Sequence, residues 1–203
     1  MENKIETIEY KGYEIETFYD QDAMSPNEWD NEDVFIVHDH RQFDVRREGF
    51  NPNNLFENMQ ENKKLYDGYW IFPLYAYIHS GVSLSLGRNA YPFNDRWDVS
   101  FSGFVLVKRQ KNWSWKEDQA YKIAESKVDL WNLYLSEQVY GYTSEVGGCW
   151  GFYGDEGEKQ MIEEAKNEID YEIKKKQTNH FNKLKVLIRN KVPYENRPIL
   201  ELV

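Results

Sequence analysis

The sequence has very little cysteine: Cys149 is the single one in 203 residues. One cysteine cannot form an intramolecular disulfide, and it cannot supply a cysteine-rich zinc site. Chains without disulfides are typical of reducing compartments. We therefore expect a cytoplasmic protein.

Long apolar runs are also missing. The amino-terminal residues MENKIETIEYKGY lack the apolar core of a signal peptide. No window approaches the roughly 20 consecutive apolar residues that cross a membrane, so we expect no membrane partner. The hydrophobic content of 40% is still sufficient to bury a core, in one domain or in one domain with a helical appendage.

Glycine-rich phosphate-binding motifs are absent as well. The sequence contains neither GxGxxG nor GxxxxGK[ST], the fingerprints of dinucleotide and nucleoside triphosphate sites. His79 and Ser80 are followed by glycine but lack the G-x-S-x-G pattern of a nucleophile elbow. We therefore expect no cofactor.

Negative charge is abundant in one part of the chain. Residues 1–67 contain 17 Asp and Glu against 7 Lys and Arg, whereas the charges balance at 8 against 8 in residues 68–150 and at 10 against 10 in residues 151–203. The net charge of −10 therefore originates in the first third. Such a surface repels nucleic acid and favours a basic protein partner, including one whose own ligand is nucleic acid. The same acidity can also serve solubility alone.

The order of the predicted elements indicates the fold class. Alternating residues around Lys11 and Gly12 predict an amino-terminal hairpin, and further strands follow, read from VFIVHDH, YWIFPLYAYI, VSLSLG, VSFSGFVLVKR, VYGYTSEV and CWGFYG. These strands precede most of the helical sequence, without βαβ alternation. We therefore predict an α+β protein with a central, mostly antiparallel sheet.

Two helices are predicted in the second half of the chain. Ser114 and Glu117 form a capping box for an amphipathic helix that ends near Leu135 and packs on the sheet. A charged helical region begins at Asp155, with a break expected near residues 177–179. We accordingly expect a core domain over residues 1–154 and a helical carboxyl-terminal extension over residues 155–203, packed on the core or projecting from it.

The strand VFIVHDH runs directly into His-Asp-His-Arg. Residues two apart share a face of a strand, so His38 and His40 should lie on one side and Arg41 on the other. The histidines could bind a metal with His79, Asp95 or Asp98. They could also serve as general acid and base on an RNA phosphodiester, with Arg41 stabilising the phosphate and no metal needed. We favour the simpler interpretation, in which they form hydrogen bonds at a strand end.

Four blocks occur in a fixed order: HDHRQF, YAYIHSGVSLSLG, FSGFVLVKR and CWGFYG, with a helix rich in Glu and Lys between the last two. Together they resemble a family of small orphan proteins encoded by phages and bacterial mobile elements, over most of residues 34–154. The resemblance implies an anti-defence role, and proteins of this size and origin include type II anti-CRISPR proteins, a few of which truncate guide RNA. It implies no particular catalytic residues.

Three function classes remain open, and we favour the first. In the first, Glu28, Asp30, Glu32 and Asp33 bind a basic partner in the host cytoplasm, such as a CRISPR effector, without catalysis. In the second, a metal-independent ribonuclease cleaves the effector's guide RNA, with a catalytic set of His38, His40, Arg41 and His79. In the third, the 16% aromatic content serves a structural protein of the virion.

Overall fold

The computed structural model describes residues 4–28, 33–40, 43–45, 66–78, 81–87, 99–109 and 117–197, with the single positions 50, 52, 57 and 61. Contacts divide the chain into two compact units. The first comprises Met1–Ala23 and Val139–Val203, and the second comprises Met24–Gln138. The boundary expected between residues 154 and 155 falls inside the first unit, where the last helix packs on the strands that precede it.

The elements are, in chain order, β1 (Lys4–Tyr10), β2 (Tyr13–Tyr19), β3 (Val34–His40), β4 (Phe43–Val45), β5 (Tyr69–Ile78), β6 (Val82–Leu86), β7 (Val99–Lys108), α1 (Glu117–Leu135), β8 (Val139–Ser144), β9 (Gly148–Tyr153), α2 (Gly154–Arg189) and a 3₁₀ turn (Tyr194–Asn196). The strands form two antiparallel sheets, in the orders β1-β2-β8-β9 and β4-β3-β7-β5-β6. The α+β class and the antiparallel pairing are confirmed, with the strands shared between two sheets.

The first unit is built on the predicted amino-terminal hairpin. Lys11 and Gly12 have φ angles of 50° and 79°, the positive values that a type I′ hairpin turn requires at both of its central residues. Strand β2 continues the sheet by pairing with β8, for example Ile15 with Ser144. This pairing joins segments more than 100 residues apart in the sequence.

Helix α2 covers one face of this sheet with an apolar stripe. Met161, Ala165 and Ile169 recur every four residues and are fully buried, so they face the sheet on successive turns. They pack with a buried set on the strands: Tyr13, Ile15, Tyr140 and Tyr142.

The break expected near residues 177–179 is wrong, because α2 is continuous to Arg189. A hydroxyl in a helix interior can bond the carbonyl four residues earlier without interrupting the helix. Thr178 does this, donating to the carbonyl of Lys174 at 2.8 Å. A polar stretch that looked like a turn therefore stays helical.

In the second unit, α1 packs on one face of the five-stranded sheet. The core between them contains residues from β3, β5, β6, β7 and α1, namely Val34, Ile36, Phe72, Leu74, Ala76, Leu84, Leu86, Val105, Val107, Ala120, Ala124, Val128 and Trp131. Successive side chains of a strand point to opposite faces, so Phe35 and Val37 lie in a separate cluster with Tyr66, Phe104 and Leu106.

Helix α1 also covers the outer edge of this sheet. Strand β6 is an edge strand, and an edge presents unpaired backbone groups. Asn132 on α1 accepts a hydrogen bond from the Leu84 amide at 2.7 Å and donates one to the Leu84 carbonyl at 2.9 Å. This pair of bonds fixes the helix to β6.

Candidate functional site

The histidine hypothesis concerns four residues, of which the structure describes one side chain. His38 lies in β3, paired with Val45 on β4 and with Gly103 on β7, and none of its surface is exposed. It lies on the same side of the strand as Ile36, which packs beneath α1. In this position the imidazole does not reach an external substrate.

The rest of the predicted catalytic set lies outside the described residues. The backbone of His40 pairs with Phe43 at the end of β3, whereas the His40 side chain, Arg41 and His79 are not described. Asp95 and Asp98, the other possible metal ligands, are also outside. Within the described ranges, no three His, Cys, Asp or Glu side chains converge so as to hold a metal ion.

Gly103 explains how β3 and β7 approach each other beside His38. A Cβ at this position would lie 1.9 Å from the Val37 carbonyl oxygen and 2.9 Å from the His38 Cα. Glycine within a strand often marks such a close backbone approach. Gly103 therefore fixes the surroundings of His38, and the one sequence signal for it was a glycine between Ser102 and Phe104.

The acidic segment, residues 28–33, begins at a hydrogen-bonded turn. The amide of Glu28 donates to the carbonyl of Ser25 at 2.9 Å, and the amide of Ser25 donates to Glu28 Oε2 at 2.6 Å. The Glu28 residue is exposed. Its carboxylate is thus held by its own turn at the protein surface.

This turn is tied to both layers of the second unit. Lys127 on α1 donates from Nζ to the Pro26 carbonyl at 2.6 Å, and Asn27 donates from Nδ2 to the Ile36 carbonyl on β3 at 3.2 Å. Lys127 is only 8% exposed, and burial lowers the pKa of its ammonium. A buried cation needs polar partners, and the Pro26 carbonyl provides one.

The other end of the acidic segment is attached to β7. The Asp33 carbonyl accepts a hydrogen bond from the Lys108 amide at 2.7 Å, and its carboxylate lies 3.4 Å from Lys108 Nζ. Both side chains are about half exposed, so this ion pair stabilises little. Asp30 and Glu32 lie outside the described residues. The two described ends of the acidic segment are therefore both anchored.

A second acidic site lies on α2 in the first unit. Glu164, Glu168 and Glu172 recur every four residues and line a cavity of about 430 Å³ with Val146, Asn167 and Tyr171. We call this cavity the α2 groove. The β8–β9 turn borders it: Val146 is one of the lining residues, and a Cβ at Gly147 would lie 3.1 Å from Glu168 Oε2.

A buried phenol lies beside Glu168, one of the residues that line the α2 groove. Tyr142 is fully buried, and burial, followed by the neighbouring Glu168 carboxylate, raises the pKa of its hydroxyl. The hydroxyl therefore stays protonated and can serve as a donor. The glutamate spacing was visible in the sequence, but the β8–β9 turn that completes the groove was not.

Comparison with protein-family models, curated proteins and solved structures found no match to this chain. No helix in the described part of the chain is long and apolar enough to cross a membrane. Both acidic sites present carboxylate groups, which accept hydrogen bonds from lysine ammonium or arginine guanidinium groups.

Proposed function

We propose that the protein is a phage or mobile-element inhibitor of host defence that binds a basic, nucleic-acid-handling effector, of the type II CRISPR class, through the acidic segment. The observation that carries this proposal is the anchored geometry of that segment. Four of its six residues are acidic: Glu28, Asp30, Glu32 and Asp33. Its two described ends are held by Lys127, Asn27 and Lys108.

Anchoring matters because binding is weakened by the entropy lost when a flexible segment becomes ordered. Carboxylates that are already fixed at a surface lose less freedom when they meet lysines and arginines of a partner. Complementary charge also accelerates encounter and discriminates against the wrong partners. An acidic segment of this kind competes for basic surfaces that otherwise hold phosphates.

The ribonuclease alternative gains no support from His38. General acid–base catalysis requires the imidazole to lie within hydrogen-bond reach of the proton that it transfers. A histidine with no exposed surface, between strands β4 and β7, does not meet this requirement. Its burial favours stoichiometric binding as the mechanism of inhibition.

The experiment is charge reversal at the acidic segment. A variant with Glu28, Asp30, Glu32 and Asp33 all replaced by lysine should raise the concentration needed for half-inhibition of a purified type II effector at least about tenfold, because attraction becomes repulsion. Circular dichroism establishes that the variant is folded.

A matched control carries the same change in net charge elsewhere. Glu6, Glu9, Glu14 and Asp22 are exposed acids from the same acidic third of the chain but belong to the first unit. Their replacement by lysine should leave inhibition within about threefold of the original, because the carboxylates of the acidic segment, which are proposed to contact the partner, are unchanged. Unchanged inhibition by the segment variant would refute the proposal.

A further inference from the structure

Helix α2 is divided sharply by charge. Residues 155–172 contain eight Asp and Glu and two Lys, whereas residues 173–191 contain seven Lys and Arg and no acid. The first half packs on the sheet and carries the α2 groove. Beyond Ile169, α2 has no buried residue, and Lys176 Nζ donates to the Tyr13 hydroxyl on β2 at 2.9 Å.

Each half places two of its charges on one side of the helix, namely Glu164 and Glu168 in the first half and Lys185 and Arg189 in the second. At about 100° per residue, Lys185 and Arg189 lie within roughly 60° of Glu164 around the helix axis. Tyr171 and Val186 lie on the same side and are 69% and 57% exposed. This side of α2 therefore combines a row of carboxylates, a row of cations and exposed apolar surface.

We propose that α2 pairs with α2 of a second copy of this chain, antiparallel and about a two-fold axis near residues 176 and 177. In that register Glu164 lies opposite Arg189 of the second copy, and Glu168 lies opposite Lys185. The two-fold axis repeats each contact, so the interface is self-complementary. Tyr171 and Val186 add apolar contact area near the same positions.

The charge pattern of α2 favours a second copy of this chain, rather than a polyanion, as the binding partner of this side of the helix. A polyanion laid along Lys185 and Arg189 would be repelled by Glu168 and Glu164 farther along the same side of the helix, because like charges oppose binding. The second copy instead brings cations to the carboxylates and carboxylates to the cations. Near the two-fold axis, the positive charge of Lys175 is compensated by its ion pair with Glu172, at 3.2 Å between Nζ and Oε2.

The test is the molar mass in solution, measured by light scattering during size-exclusion chromatography without any effector. The full chain should elute with twice its 24.4 kDa mass and should dissociate as salt is raised, because the pairing is electrostatic. Glu164→Lys with Glu168→Lys, and separately Lys185→Glu with Arg189→Glu, should each give monomers that remain folded by circular dichroism.

Charge restoration makes the test specific to this register. An equimolar mixture of the two variants should form a heterodimer, because each contact regains opposite charges, and one chain carrying all four substitutions should dimerise again. Glu6→Lys with Glu9→Lys is the matched control and should stay dimeric. A monomeric full chain, a dimer that survives both reversals, or a mixture that stays monomeric would each overturn the proposal.

Discussion

Substitution of Lys127 tests most directly how the acidic segment is anchored. Its ammonium donates to the Pro26 carbonyl at 2.6 Å, from a side chain that is 8% exposed. Lys127→Met retains most of the buried carbon chain and removes the ammonium. Lys127→Ala removes both.

The two variants should lose different amounts of stability, because Lys127→Met removes the hydrogen bond alone whereas Lys127→Ala also removes packing. A hydrogen bond from a charged donor contributes about 1.5–3 kcal/mol, and removing a buried charge recovers part of that, so Lys127→Met should lower the free energy of unfolding by about 1 kcal/mol. Relative to methionine, alanine lacks three more buried side-chain atoms, two carbons and the thioether sulfur, each contributing about 0.8 kcal/mol. The alanine variant should therefore be about 2 kcal/mol less stable than the methionine variant.

The pH dependence has a definite sign. Burial holds the pKa of folded Lys127 below its ordinary value of 10.5, so between these two values the unfolded chain binds more protons than the folded chain. The free energy of unfolding then rises with pH across that window. Lys127→Met lacks this contribution, so the stability advantage of the original chain over the variant should grow as pH increases from neutral towards 10.5.

Urea unfolding at a series of pH values, followed by circular dichroism, measures both quantities. The methionine variant should also inhibit the effector more weakly, because the turn at residues 25–28 is released from α1. Equal stabilities for the two variants, or an advantage that stays flat or falls with rising pH, would show that Lys127 is not a buried anchor.

Three further substitutions test the fold. Gly103→Ala should lower the free energy of unfolding by more than about 2 kcal/mol, because its Cβ would lie 1.9 Å from the Val37 carbonyl oxygen. The control, Gly81→Ala, has nothing within 4 Å of its Cβ and should change stability by less than about 1 kcal/mol; equal melting temperatures for the two variants would contradict this. Asn132→Ala should cost about 1–3 kcal/mol through two lost hydrogen bonds to Leu84, and faster amide exchange at Leu84 is the diagnostic. Ile169→Ala should cost about 2–5 kcal/mol, against about 0.5 kcal/mol for the exposed Gln160→Ala; a small effect at Ile169 would place it outside the core.

Local signals predicted the individual elements well. The Lys11-Gly12 turn and the alternation around it gave the first hairpin, and the apolar periodicity gave α1 with its end at Leu135. Pairing across long sequence separations is not written in local patterns. The division of the strands into two sheets therefore depends on contacts such as Ile15 with Ser144, which no single stretch indicates.

The same limit applies to the candidate sites. Alternation placed His38 on the face of Ile36, but its position between β4 and β7 depends on strand pairing with Val45 and Gly103. The sequence marked Glu28 and Asp33 as acidic, whereas their anchoring depends on residues far along the chain, such as Lys127 for Pro26 and Lys108 for Asp33. Composition thus indicates charge, and the tertiary fold determines whether that charge is fixed.

We propose that the protein inhibits the effector by binding to it and not by cleaving its guide RNA. The most direct measurement titrates the protein against a fixed concentration of guide-loaded type II effector and examines the guide RNA on a denaturing gel, with and without EDTA. Binding predicts that inhibition is complete near equimolar protein, with intact RNA in every lane. Inhibition by substoichiometric protein, with discrete RNA products that disappear in His40→Ala, would contradict it and establish a ribonuclease.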